Sequence, residues 1–270
     1  MNDPASPVEA GWDSYVTLVD DEPALVLVGL HLEGALPHPE ASTLCLVAFD
    51  MLDPGDGGTG SEAEAIHLAE VEEAIASRLS SAGFIQAGRV RAGGSWECSF
   101  YGSPVDALAF PEAVDAALAR VQDARVHWTQ IQPDPEWTYF RDLLLPDLER
   151  RLWMKDRDVV DALVAEGDPL ETVRPVEHLL TFPSAEAAEL FFDAVRMRGY
   201  EPIDVSEAPD ANGGHRARLR RNDPVDLDSI HRIVMDLTEL AAPYDGDHEG
   251  WETDVVEPSP QQDGTRPRRS

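Results

Sequence analysis

Two patterns alternate along the chain: short apolar or alternating runs of strand length, and longer segments with apolar residues at helical spacing. The first runs form a hairpin, in which Trp12 to Val19 and Ala24 to Leu30 flank the turn Asp20-Asp21-Glu22-Pro23. The continuous apolar run from Thr43 to Phe49 then predicts a strand in the core.

The rest of the first half predicts a helix, two strands, a second helix and a closing strand. Ser61 with Glu64 three residues later forms a capping box that opens the first helix, and Gly83 ends it. The later predicted elements are strands from Phe84 to Arg91 and Trp96 to Tyr101, with Gly93-Gly94 between them, a helix from Pro111 to Val121, and a strand from Arg125 to Ile131.

The second half repeats this order. Its predicted elements are a strand from Val173 to Phe182, a helix that Ser184 caps and Gly199 ends, strands from Tyr200 to Val205 and His215 to Arg221, a helix capped by Asn222-Asp223-Pro224, and a last strand from Trp251 to Val256. Each half therefore follows the order β-α-β-β-α-β, with a double glycine between its middle strands, which is the order of a ferredoxin-like unit.

The repeat predicts an α+β protein of two tandem ferredoxin-like domains, each with helices on an antiparallel sheet, joined by a helical connector. The predicted parts are a flexible N-terminus (1–10), a first α+β domain (11–146), the connector (147–170), a second ferredoxin-like domain (171–257) and a disordered tail (258–270). Within the connector region, Pro135 to Leu145 and Asp156 to Ala165 have helical patterns.

The net charge of the chain limits the kinds of partner that it is expected to bind. The 270 residues include 52 acidic and 21 basic side chains, a formal net charge of -31. Such a surface repels phosphate backbones and anionic lipids, so we expect no direct binding of nucleic acid or membranes and a preference for basic proteins. The alternative is that the acidic surface only keeps the protein soluble and has no role in binding. No apolar run is long enough to span a bilayer, and the first residues lack a signal-peptide pattern, which predicts a cytoplasmic protein.

Motifs for catalysis or for a cofactor are not found in the sequence. Its eight histidines are scattered, its two cysteines, Cys45 and Cys98, lie in apolar strands, and no zinc or serine-hydrolase motif occurs. The glycine-rich loop from Gly55 to Gly60 lacks the Gly-Lys-Ser/Thr ending of a phosphate-binding loop. We therefore expect no catalytic residue, metal or cofactor.

The stretch before the last predicted strand is the candidate partner-binding site, because it mixes carboxylates, aromatic residues and glycines. The candidate residues are Tyr244, Asp245, His248, Glu249, Trp251 and Glu252. Tryptophan and tyrosine side chains are good anchors for a partner. The alternative is that Trp251 fills one end of the sheet.

The stretch from about Lys155 to Val256 resembles the RraB family, the protein regulators of ribonuclease E. The resemblance is carried by Asp156-Arg157-Asp158, Gly167-Asp168, Val173-Arg174-Pro175-Val176-Glu177-His178, Phe182 and Gly250-Trp251-Glu252-Thr253. Where the family has Tyr-Asp-Gly-Trp, this chain has His248-Glu249-Gly250-Trp251. Residues from about Trp12 to Pro146 are similar to an uncharacterised bacterial domain family, DUF 695, through Phe100-Tyr101, Asp134-Pro135-Glu136-Trp137-Thr138-Tyr139-Phe140 and Leu145-Pro146.

The resemblance implies a non-catalytic regulator whose partner is an endoribonuclease of the ribonuclease E/G type and which damps RNA cleavage. In that hypothesis, charge attraction forms the encounter and the region around Trp251 supplies an apolar anchor. The alternative is a general protein-interaction module, of a stress or immunity type, with no link to RNA decay.

Overall fold

The computed structural model describes residues 11–121, 127–206, 208–209 and 213–257. The chain forms two compact units, Met1–Arg151 and Leu152–Ser270. Each unit combines helices with one antiparallel sheet, which confirms the predicted α+β class. The segments predicted as a flexible N-terminus and a disordered tail lie outside the described residues, and so does Arg125, the predicted start of one strand.

The first unit is built on a six-stranded sheet with the strand order β1-β2-β4-β5-β3-β6. Its elements are β1 (Trp12–Val19), β2 (Glu22–Gly29), β3 (Thr43–Asp50), α1 (Glu62–Ser80), β4 (Ile85–Ala92), β5 (Ser95–Gly102), α2 (Phe110–Val121) and β6 (His127–Pro133). The predicted hairpin is present as β1 and β2, and it extends the sheet beyond β4.

Helices α1 and α2 cover one face of this sheet. Ser61 caps α1 as predicted, since its Oγ accepts from the amide of Glu64. The Glu64 carboxylate accepts from the amide of Leu52, so it holds the loop after β3 against the start of α1. Cys45 and Cys98 are fully buried in the apolar layer beneath the helices, where they pack as small apolar side chains.

The segment after β6 packs its aromatic rings on the same unit. Trp137 has a left-handed φ of 56°. Its ring stacks on Tyr101 with a centroid distance of 3.7 Å, and its Nε1 donates to the carbonyl of Ala41 at 2.8 Å. The buried carboxylate of Asp134 accepts from the Tyr101 hydroxyl at 2.6 Å and from the amides of Thr138 and Tyr139 at 2.8 and 3.1 Å. This network fixes the aromatic segment, because a buried carboxylate is stable only where its oxygens are hydrogen-bonded.

The second unit is built on a four-stranded sheet with the strand order β10-β7-β9-β8. The helix α3 (Leu148–Ala165) precedes it, and the unit continues with β7 (Arg174–Phe182), α4 (Ala185–Arg196), β8 (Glu201–Val205), β9 (His215–Asp223), α5 (Leu227–Ala241) and β10 (Asp247–Thr253). Ser184 caps α4 as predicted. Its core joins α4 and α5 to the sheet, and a second apolar cluster adds Leu152, Val160 and Leu163 of α3.

Both units contain the same order of strands and helices and the same arrangement of four strands in the sheet. The elements from β3 to β6 and from β7 to β10 follow the order β-α-β-β-α-β. In each set the first strand lies between the third and the fourth, and the second strand lies beside the third. Among the described helices, none combines the length and apolar character that crossing a bilayer requires.

Several boundaries differ from the sequence expectations. The helix predicted from Pro135 to Leu145 is limited to the short helix Phe140–Leu144, and three other elements extend beyond their predicted bounds. Helix α3 begins at Leu148 rather than at Asp156. Strand β9 continues to Asp223, which pairs with Arg174, and the cap of α5 is Asp226, whose carboxylate accepts from the amide of Ser229. Strand β10 already begins at Asp247, so the predicted loop before Trp251 is part of the sheet. In these three cases, pairing or packing with distant residues extends the element beyond its local signal.

We expect Asp134→Ala to lower the free energy of unfolding of the first unit by about 2–4 kcal/mol, because it leaves the buried Tyr101 hydroxyl and two amides without their acceptor. Urea unfolding followed by tryptophan fluorescence measures this change. The matched control is Glu136→Ala in the same segment, an exposed position where we expect a change within about 0.5 kcal/mol. Equal losses in the two variants would contradict the proposed role of Asp134.

Candidate functional site

The candidate residues lie at the end of α5 and along the edge strand β10. Tyr244 is half-buried and packs on Phe191 of α4, with ring centroids 6.3 Å apart. Asp245 is exposed and has a left-handed φ of 54°. A Cβ at the following residue, Gly246, would lie 2.2 Å from the ring of Phe182, so only glycine fits there. The chain therefore turns sharply at Asp245-Gly246 and enters β10.

Strand β10 separates the remaining candidates onto two faces. Trp251 and His248 are buried, with exposed fractions of 7% and 6%, whereas Glu249 and Glu252 are exposed. A register shift between His248 and Gly250, where the pairing with β7 skips Glu249, brings both buried side chains to the interior. The structure thus places His248 and Trp251 inside the unit and Glu249 and Glu252 outside it.

Trp251 is held by a buried carboxylate of α3. Its indole Nε1 donates to Asp156 Oδ1 at 2.9 Å, and His231 Nδ1 of α5 donates to Asp156 Oδ2, also at 2.9 Å. Asp156 is 2% exposed, so both of its oxygens need partners. This arrangement ties α3, α5 and β10 together and agrees with the sequence alternative in which Trp251 fills one end of the sheet.

A second buried carboxylate, that of Asp168, joins the start of β7 to the segment that follows β10. Arg174 donates through both Nη atoms to the carboxylate of Asp168, at 2.6 Å for the pair Nη2 and Oδ1. Asp168 also accepts from the amides of Leu170 and Val256, each at 2.7 Å. The hydrogen bonds from Arg174 hold the pKa of Asp168 well below its usual range, so the pair is ionised at neutral pH.

His248 forms a buried pair with His178 of β7. His178 Nδ1 lies 3.2 Å from His248 Nε2, so one ring donates and the other accepts. Neither outer nitrogen, His178 Nε2 nor His248 Nδ1, has a hydrogen-bond partner in the described part of the chain. Burial lowers the pKa of His178, and the neighbouring His248 and Arg221 lower it further. Burial and then Lys155 lower the pKa of His248 to about 4. Both rings are neutral at pH 7.

The exposed carboxylates of β10 belong to a groove on the face of the sheet opposite α4 and α5. Its volume is about 680 Å³. Because side chains alternate along a strand, Val176 and Leu180 of β7 face the core while Glu177 and Leu179 face the groove. Across the sheet, β10 contributes Glu249 and Glu252, β9 contributes Arg216 and Arg218, and β8 contributes Asp204 and Val205.

Ion pairs fix the central arginine of this groove. Arg218 donates from Nε and Nη2 to the two oxygens of Asp204 at 3.1 and 2.5 Å, and its Nη1 lies 3.7 Å from Glu177. The hydrogen bonds between Arg218 and Asp204 lower the pKa of the Asp204 carboxyl and raise the pKa of the Arg218 guanidinium. Two residues further along β9, Arg220 donates two hydrogen bonds to the carboxylate of Glu201 in β8. Arg218 and Arg220 of β9 are thus paired with carboxylates of β8.

Sequence reasoning found the β10 side of the groove and missed the rest. The alternation Arg216, Arg218 and Arg220 in β9 is the signal that could have indicated a charged, solvent-facing row. The contribution of Leu179 has no such signal, because the sequence does not show which of the adjacent residues Leu179 and Leu180 faces the core. Within the described ranges, no group of three or more His, Cys, Asp or Glu side chains is placed to hold a metal ion.

We expect the stability of the second unit to fall as the pH decreases below about 6.5, the unperturbed histidine pKa. Because the pKa values of His178 and His248 are lowered in the folded state, the unfolded chain binds these protons first. Stability is complete above pH 6.5 and is lost toward pH 4, at up to about 1.4 kcal/mol per pH unit for each histidine. Urea unfolding at pH 7.5, 6.5, 5.5 and 5.0 measures the slope.

The control for this prediction is His248→Leu, which removes one of the two buried protonation sites and leaves the carboxylates unchanged. We expect about half of the wild-type slope between pH 6.5 and 5.0. An unchanged slope would show that the histidine pair does not cause the pH dependence.

Comparisons with known proteins agree with the division into two halves. Residues 153–253 match the family model of RraB, Regulator of ribonuclease activity B. Residues 10–145 match the model of DUF695, a family of unknown function. Both resemblances that the sequence indicated are thereby confirmed. No curated protein matches the chain.

Solved structures give only distant likenesses. A protein provisionally described as a glycine cleavage system transcriptional repressor is 9% identical, with a TM-score of 0.25, over 78% of this chain and 98% of that one. A microcompartments protein from Desulfitobacterium hafniense is 13% identical, with a TM-score of 0.22, over 80% and 95%. These TM-scores are too low to define a shared fold. The chain belongs to the DUF695 family through its first half, and residues 153–253 of its second half are similar to RraB, Regulator of ribonuclease activity B.

Proposed function

We propose that this chain is a non-catalytic cytoplasmic regulator that binds ribonuclease E or a related endoribonuclease and inhibits its cleavage of RNA. The observation that carries the proposal is the match of residues 153–253 to the RraB family. We also propose that both units have the ferredoxin-like fold, since each contains the β-α-β-β-α-β order with the first strand between the third and the fourth.

The residues that carry the family resemblance support the proposal because they build one connected framework. Asp156 joins α3 to Trp251 of β10, and Asp168 joins Arg174 of β7 to the chain after β10. These contacts are buried and hydrogen-bonded. The framework holds the edge strand β10 in place, and it presents Glu249 and Glu252 to the outside.

Within the candidate set, exposure assigns different roles. Asp245, Glu249 and Glu252 are exposed and are the proposed contacts to the nuclease. Tyr244 is half-buried and packs on Phe191, so we assign it to supporting the turn at Asp245. His248 and Trp251 are buried, so we assign them to positioning β10 rather than to direct anchoring.

Charge supports the choice of a nuclease as partner. A protein with a net charge of -31 repels RNA itself and attracts a basic, RNA-binding surface on another protein. Inhibition then requires no chemistry by the regulator, because occupying such a surface excludes the substrate. Ionic attraction of this kind weakens as salt screens it.

We expect the purified chain, added in excess, to lower the initial rate of RNA cleavage by a purified ribonuclease E-type enzyme. We also expect its direct affinity for that enzyme, measured without RNA by isothermal titration calorimetry, to weaken by about tenfold or more between ~0.05 and ~0.5 M salt. The matched comparison is an unrelated ribonuclease, whose cleavage rate should stay constant.

The opposite result separates the two function classes. No binding and no inhibition, together with specific recovery of another protein from the same cell extract, would overturn the proposal in favour of a general interaction module. Inhibition that occurs without binding to the enzyme, through capture of the RNA, would also contradict it.

A further inference from the structure

We propose that the groove on the open face of the second sheet binds a basic peptide segment in which an apolar side chain lies between arginine or lysine residues. The groove is formed by β10, β7, β9 and β8 within the second unit. The inference rests on the proposed function for the protein that supplies the segment, the nuclease. The chemistry of the segment follows from the groove alone.

Unpaired negative charge lies along one side of the groove. Glu249 and Glu252 are exposed, and within the described residues neither carboxylate forms a hydrogen bond or an ion pair. Glu177 lies between them and β9, with its nearest arginine nitrogen 3.7 Å away. Cations of a partner therefore meet three carboxylates that are not saturated by hydrogen bonds.

The central positive charge of the groove, that of Arg218, is already neutralised. Arg218 is held by both oxygens of Asp204, which fixes the planar guanidinium against β8. An anionic partner would have to break this bidentate pair and would still face the carboxylates of β10. The arrangement favours a cationic occupant over a phosphate or an acidic peptide.

The floor between the two charged sides is apolar. Leu179 of β7 is half-buried, and it lies in register between Gly250 of β10 and Arg218 of β9. Gly250 has no side chain, and nothing lies within 4 Å of a Cβ built on it, so there is open space beside Leu179. A single aliphatic side chain placed there is removed from water while basic neighbours on either side reach Glu249 and Glu252.

The probe is a fluorescein-labelled ten-residue peptide with one central leucine between two pairs of arginines, titrated with the full chain at ~0.05 M salt and followed by anisotropy. A second peptide has serine in place of the leucine. We expect the double variant Glu249→Gln/Glu252→Gln to bind the leucine peptide about tenfold more weakly than the wild type.

The matched control is Glu189→Gln/Glu239→Gln, which removes the same charge from exposed positions on α4 and α5 of the same unit. We expect a change of less than about twofold, because charges on the other face act only through screened, long-range attraction. Equal weakening in the two double variants would overturn the groove as the binding site.

Leu179→Ser tests the apolar floor. We expect it to weaken binding of the leucine peptide by about fivefold to tenfold and to leave the serine peptide unchanged. The serine peptide also reports that the variant is folded. If the wild type binds both peptides equally, or the variant loses both equally, the apolar part of the inference is wrong.

The same variants in the RNA cleavage assay separate this inference from the proposed function. Loss of inhibition in Glu249→Gln/Glu252→Gln but not in Glu189→Gln/Glu239→Gln supports both. Full inhibition by a variant that no longer binds the peptide overturns the groove as the nuclease contact, and the proposed function stands. Peptide binding by a wild-type chain that does not inhibit overturns the proposed function, and the chemistry of the groove stands.

Discussion

The buried carboxylate of Asp156 is the constraint on which the second unit depends. A carboxylate that is 2% exposed must have its oxygens satisfied inside the protein, because the cost of leaving an anion unpaired in an apolar interior is several kcal/mol. Asp156 meets this requirement with Trp251 of β10 and His231 of α5. The positions of α3, α5 and the edge strand are therefore set together, and a shift of any one leaves a buried charge.

The first unit also contains a buried carboxylate whose oxygens accept hydrogen bonds. Asp134 accepts from the Tyr101 hydroxyl and from two amides of its own turn, and Trp137 stacks on the ring of Tyr101. In both units a buried aspartate accepts a hydrogen bond from an aromatic side chain, and residues that carry the family resemblance surround that contact. The signatures thus record how each unit is held together.

This division between framework and surface explains how the edge of the second sheet can carry function. With Trp251 and His248 held in the interior, the bulge in β10 turns Glu249 and Glu252 outward next to Leu179 and Gly250. Carboxylates on an edge strand also discourage unwanted strand pairing. In the proposed function, an edge strand held in this way would bind its partner at a low cost in ordering entropy.

The sequence by itself determined the element order, the α+β class, the caps Ser61 and Ser184, and the family that each half resembles, because these depend on periodicity, local hydrogen bonds and motifs. The tertiary structure alone decided that Trp251 faces inward and Glu252 outward, since a β-bulge and a carboxylate far away in the sequence set the orientation. It also decided that Arg218 is neutralised by Asp204 and that Leu179 lines a groove. Those contacts join separate strands, and no local pattern encodes which residues of two distant strands are paired with each other.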